Sequence, residues 1–214
     1  MSGSLFSSLL VVVMLLNFYC IGASRLRALI RAVSLQGVVL GLMPLLVHGS
    51  ATADLPVLHV VVSLVTALIK GVVIPQLLLR ALRALPIKRE VEPLIGTVPS
   101  LVLAALATAL AIVFGQRLAP ASTPGAALVV ATALATVLSG FLLLVTRLKA
   151  VTQIVGYLVL ENGVFVFGML LVEAIPFFVE LGILLDLVVG IFVMGILIHH
   201  IHRDFPTGQR EDPS

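Results

Sequence analysis

The chain is a succession of apolar runs, each as long as a bilayer demands of a helix, and that repetition constrains it more than any motif. A helix needs about 20 apolar residues to cross a hydrocarbon core. Runs of that length fall near 4–23, 28–48, 56–79, 94–116, 124–146, 151–173 and 177–201. The segments between them are short, and three carry helix breakers: "GSATADLP", "LPIKREVEP" and "APASTPG". Only 11% of the 214 residues are charged, against roughly 25% in a soluble domain. Such a chain cannot cover itself with polar surface. The sequence therefore predicts an all-α integral membrane protein of about seven transmembrane helices.

The first run, "LLVVVMLLNFYCIGA", has no Lys or Arg before it and is followed at once by "SRLRALIR". That order opposes a secretory leader and suits a retained first span with its far end in the cytoplasm. With the N-terminus outside, the inner segments hold Arg25, Arg27, Arg31, Arg80, Arg83, Lys88, Arg89, Arg147, Lys149, Arg203 and Arg210, and the outer ones only Arg117. This bias fixes the expected orientation, with a cytoplasmic C-terminus. The net charge of +3 then reports topology and calls for no nucleic-acid partner.

Chemistry of the usual catalytic kinds is not written here. The single cysteine, Cys20, lies inside an apolar run, which leaves no disulfide framework and no cysteine cluster for zinc or iron–sulfur. There is no phosphate-binding loop, dinucleotide fingerprint or nucleophile elbow. The "HHIHR" cluster at 199–203 has histidines at i, i+1 and i+3, which do not share one tight helical face, so it reads as a membrane-edge cap. No metal or cofactor is expected, and the chain is expected not to be an enzyme by itself.

What remains is charge at mid-membrane. Lys70, Glu161 and Asp186 fall near the middle of three runs, and each would cost about 2.5–3.5 kcal/mol facing lipid alone. They must face protein or water, pair, or give up charge, and a contact of Lys70 with Glu161 or Asp186 follows as an expectation. His59, Ser63, Thr66 and Lys70 are spaced four, three and four apart, on one helical face. For Ser63 and Thr66, helix packing explains the residue as well as function does. Pro75 has no amide hydrogen, so the Gly71 carbonyl loses its usual helical partner, and a kink with hydrated backbone beside Lys70 is expected. Tyr157 stands one turn before Glu161, Asn162 follows it, and Glu180 sits nearer the outer end on a different face from Asp186. A buried carboxylate held between desolvation and a neighbouring cation can gain and lose a proton near neutrality, which is what a proton relay requires.

A short internal echo, "RLRA" at 25–28 and "RLKA" at 147–150, suggests two parallel three-helix repeats, as in some transport proteins. The corresponding division is a three-helix unit over 1–93, a connecting helix over 94–123, a second three-helix unit over 124–203 and a tail over 204–214.

"GYLVLENG", "PFFVELGILLD" and "IKGVVIP" together resemble the membrane component E of hydrogenase-4 and formate hydrogenlyase-type complexes, along essentially the whole chain. The last three spans also resemble the complex I K subunit and the antiporter C subunit, in which two consecutive helices each carry a mid-membrane glutamate. Glu161 in "LEN" matches the first such position, and Asp186 in "LLDLVVG" matches the second with a side chain one methylene shorter. The resemblance implies a multi-pass protein of the prokaryotic plasma (inner) membrane. It implies partners as well: antiporter-like subunits and a peripheral [NiFe]/iron–sulfur arm, with H+ or Na+ translocation coupled to electron flow. Two other readings stay open at this point. One is a structural spacer whose charges only pair helices, and the other is a stand-alone small transporter.

Overall fold

The computed structural model describes residues 2–48, 57–84, 94–119 and 125–170. The expected seventh span at 177–201, with Glu180 and Asp186, lies outside them, as do the "HHIHR" cluster and the tail. The described residues are all helix and connecting turn, with no strand. Helix α1 spans Ser2–Gly22, α2 Leu26–His48, α3 Val57–Leu68, α4 Ile74–Ala84, α5 Thr97–Leu118, α6 Ala126–Thr146 and α7 Ala150–Gly168, with a π-helical turn Ile69–Val73 joining α3 to α4. Among the described residues six helical segments are long and apolar enough to cross a membrane, α3, the π turn and α4 supplying one of them. The fold is that of an all-α membrane protein. Helices are the only open-ended elements that satisfy every backbone polar group from within, which lipid requires.

The largest differences from the sequence expectation are at two boundaries. The third segment runs past 79 to Ala84, so Arg80 and Arg83 belong to a helix and not to a loop. Arg80 is exposed and its long stem lets the charged head reach out from an apolar helix. The sixth segment stops at Gly168 instead of 173, where the Leu170 amide bonds the Phe167 carbonyl and tightens the last turn.

Close packing holds the bundle together. The most extensive contacts are α6 with α7 and α5 with α6, and α1 packs on α2, α5 and α6 while α2 also meets α7. Glycines set these approaches: a Cβ at Gly163 would stand 2.6 Å from the Val137 nitrogen, and one at Gly156 2.9 Å from the Leu144 nitrogen. Small residues at a crossing let membrane helices come near enough for main-chain contact. Outside the contacts, α5 presents Val98, Val102, Leu106 and Val113 outward, as a lipid-facing helix should.

The ends of the helices sort themselves. The Arg147 guanidinium donates to the Ile21 carbonyl at the end of α1, and the Leu94 amide donates to the Thr146 carbonyl at 2.7 Å. The end of α1, the approach to α5 and the end of α6 therefore lie together, and Arg25, Arg147 and Lys149 share one end of the bundle. Arg117, in the last turn of α5, lies at the other end.

Candidate functional site

Two apolar layers bracket a polar one. One layer contains Cys20, Ile30, Val33, Ile74, Leu143 and Leu158. The other contains Leu10, Val13, Leu40, Met43, Ala133 and Val166. Between them along the helices stand Asn17, Gln36, Thr136, Glu161 and Asn162, and Lys70 reaches Glu161 from the π turn, all six buried. A polar side chain in such a place must find its partners inside the protein.

Lys70 and Glu161 find each other. The Lys70 Nζ donates to Glu161 Oε1, and both residues are nearly sealed, at 6% and 2% exposure. Glu161 is the only carboxylate among the described residues. The Phe165 ring, one turn beyond Glu161, sits with its centroid 5.1 Å from the Lys70 Nζ, inside the range of a cation–π contact. The ammonium thus meets a full negative charge and the electron-rich face of a ring, both from α7.

The local backbone explains how Lys70 gets there. Pro75 cannot donate to the helix, and the chain responds with the π turn Ile69–Val73, closed by the Ile74 amide bonding the Ile69 carbonyl. Sequence alone suggested hydration of the freed Gly71 carbonyl. The structure gives that carbonyl a partner from the protein itself: Ser34 Oγ on α2 donates to it. Such a bond requires α2 and the π turn to touch, and α2 is built for that. A Cβ at Gly37 would lie 2.9 Å from the Lys70 carbonyl carbon, and one at Gly41 would collide with the Ala67 main chain. Ser34, Gly37, Val38 and Gly41 form a stripe at i, i+3, i+4 and i+7.

The supporting residues named from sequence are placed unevenly. Ser63 is buried and Thr66 partly buried on the way to Lys70, and Tyr157 is partly buried one turn before Glu161. His59 lies in α3, outside the described side chains. Asn162 does not serve its neighbour Glu161 directly through its amide nitrogen, which donates to Gln36 Oε1 at 3.4 Å. From Gln36 the bonding continues through Asn17 to Thr136. Reasoning from charge alone missed Asn17, Gln36, Thr136, Ser34 and Phe165. The signal for two of them was present, since an amide inside an apolar run carries much the same burial problem as a charge. The motif "GVVLG" at 37–41 likewise announces a close helix crossing.

No group of three or more metal-ligating side chains occurs among the described residues. The arrangement holds an ammonium against a carboxylate away from lipid.

Comparison with known proteins gives the chain relatives. It is 35% identical over 184 residues to the protein named "Uncharacterized protein Rv0085" of Mycobacterium tuberculosis, an alignment covering 84% of this chain and 81% of that one. It is also similar to hydrogenase-4 component E of Escherichia coli K12 and of Shigella flexneri, at 30% identity over 138 residues. There the alignment covers 64% of this chain and 64% of the component E protein, somewhat less than two thirds of its length. No protein-family model matches the chain and no solved structure matches it. The chain belongs to the family of the mycobacterial protein Rv0085.

Proposed function

We propose that this member of the Rv0085 family is a non-catalytic subunit in the membrane arm of a hydrogenase-type, complex I-like assembly. In this reading Glu161 and Lys70 form an intramembrane charge relay, for H+ or Na+ movement coupled to electron transfer in other subunits. The observation that carries it is the placement of the one described carboxylate, sealed within the bundle and paired with a lysine on a π turn. The likeness to hydrogenase-4 component E supplies the class of assembly. Asp186, outside the described residues, is the second acid of the relay by the likeness of "LLDLVVG" to the second glutamate-bearing helix of the K and C subunits. Antiporter-like subunits and a [NiFe]/iron–sulfur arm are the partners. The basic end of the bundle supports a cytoplasmic side at Arg25 and Lys149, with the N-terminus of α1 outside.

The mechanism is electrostatic. A proton passing from the Lys70 ammonium to the Glu161 carboxylate turns an ion pair into a neutral pair, with no change in net charge. In a low-dielectric seam the balance between the two forms responds strongly to a charge that changes in a neighbouring subunit. Separation of the pair frees the proton for the next group along the membrane arm.

The test is Glu161→Gln in the assembled complex within sealed vesicles. The relay reading expects normal assembly and normal electron transfer to an artificial acceptor, with ion translocation lost. Unchanged translocation removes Glu161 from the mechanism. The closed Lys70–Glu161 pair also suits a spacer whose charges only fasten helices. A spacer keeps its ratio of ions moved per electron in the same variant, whatever stability is lost with the pair. Purification from native membranes separates both from a stand-alone transporter, which comes out without large partners.

A further inference from the structure

Four buried polar side chains from four helices form a hydrogen-bond ladder that starts beside Glu161 and leads away from it. Asn162 Nδ2 donates to Gln36 Oε1 at 3.4 Å, Gln36 Nε2 to Asn17 Oδ1 at 2.9 Å, and Asn17 Nδ2 to Thr136 Oγ1 at 2.9 Å. Thr136 Oγ1 in turn donates to the Thr132 carbonyl at 2.7 Å. The four residues are at most 3% exposed, and they join α7, α2, α1 and α6 in that order.

The ladder has one direction, and its last rung sets it. A carbonyl only accepts, so Thr136 spends its single hydroxyl hydrogen on Thr132 and can only accept from Asn17. The Asn17 amide must then present nitrogen to Thr136 and oxygen to Gln36. Gln36 in its turn presents nitrogen to Asn17 and oxygen to Asn162. Each amide is locked one way round by the next. At the near end the Asn162 nitrogen is committed to Gln36, and its oxygen remains as an acceptor on the residue that follows Glu161. Side chains at i and i+1 of a helix do not face each other, so an acceptor there suits a water that carries the proton to or from Glu161.

We infer that Asn17, Gln36 and Thr136 are positioning residues for charge transfer at Glu161, acting through the fixed orientation of Asn162. This rests on the relay reading above, and the test keeps the two apart. The chain has two asparagines, Asn17 and Asn162, so labelling asparagine alone with 15N gives two side-chain amide signals from the full chain in lipid bilayers. Glu161→Gln and Asn17→Asp assign them.

Thr136→Val keeps the shape and removes the anchor, while Thr136→Ser keeps the hydroxyl. The inference expects Thr136→Val to move both amide signals, including that of Asn162 three rungs away, and Thr136→Ser to restore both. In the assembled complex it also expects ions moved per electron to fall roughly two- to tenfold in Thr136→Val, the range for losing one neutral hydrogen bond, with electron transfer unchanged and the ratio recovered in Thr136→Ser. A shift confined to Asn17 overturns the inference, as does an unaltered ratio with both signals moved. Failure of both variants to assemble overturns it too, since the hydroxyl is then not what the site needs. If Glu161→Gln leaves translocation intact while both signals respond, the relay falls and the ladder remains as architecture.

Discussion

Gly37 lies against Lys70 so closely that a single added carbon would stand 2.9 Å from the lysine's own carbonyl carbon, carbonyl oxygen and Cβ. Real Cβ atoms do not sit that near main chain, so Gly37→Ala must push α2 away from the π turn. Overpacking of this kind costs about 1–3 kcal/mol, and it also strains the reach of Ser34 to Gly71. We expect a lower unfolding midpoint in detergent for Gly37→Ala. Gly3→Ala, where nothing lies within 4 Å, should leave it unchanged. Equal behaviour of the two variants means the crossing is looser than described.

Lys70 and Glu161 are each costly to bury and tolerable only together. Removing one partner from a buried pair typically costs about 3–5 kcal/mol, because the other charge is left behind. Lys70→Met and Glu161→Gln should therefore be strongly non-additive. The double variant is expected to be more stable than Lys70→Met alone, since it strands no carboxylate. Denaturant titration of the four proteins closes the cycle. Additive losses would show that the two side chains do not share an interaction in the membrane.

Ser34 and Pro75 are linked through a carbonyl that neither residue owns. Pro75 withholds the amide that Gly71 would otherwise accept from, and Ser34 supplies a hydroxyl in its place. Ser34→Ala should cost about 1 kcal/mol in the native background, the usual net worth of a hydrogen bond. With Pro75→Ala in place an amide donor is available again, and Ser34→Ala should cost markedly less. The same cost in both backgrounds would mean that proline is not why the serine is needed.

The sequence exposes the fold in this chain because lipid imposes few solutions on an apolar run of twenty residues. The six described spans, their all-helical nature and the basic end could be read without coordinates. The site was legible as a list of charges with an open choice of partner for Lys70, Glu161 or Asp186, and the structure has Glu161 there. Lys70 and Glu161 stand out in any apolar segment, but their meeting depends on the π turn and on Gly37, whose effect is felt only where two helices cross. Asn17 and Gln36 were passed over because a neutral amide does not register in a search for charge, although its unpaired burial costs a few kcal/mol. The π turn itself was hidden behind a simpler expectation, since a proline in a helix predicts a kink without saying how the backbone will absorb it.

Arg147 holds the end of α1 from the end of α6. Its guanidinium donates to the Ile21 carbonyl, one of the last in α1, while its Nε is buried without a partner. The last carbonyls of a helix lack intrahelical donors and carry partial negative charge, so a cation there satisfies both needs. Arg147→Ala removes a charge-assisted bond worth about 1.5–3 kcal/mol and should let the α1–α2 turn loosen. That turn contains Arg25 and is followed by Arg27, both exposed and both sites for trypsin. We expect faster cleavage there in Arg147→Ala, with the remaining helices protected as before. Unchanged cleavage at Arg25 and Arg27 would mean that packing around Ile21 and Leu26 holds the turn without the arginine.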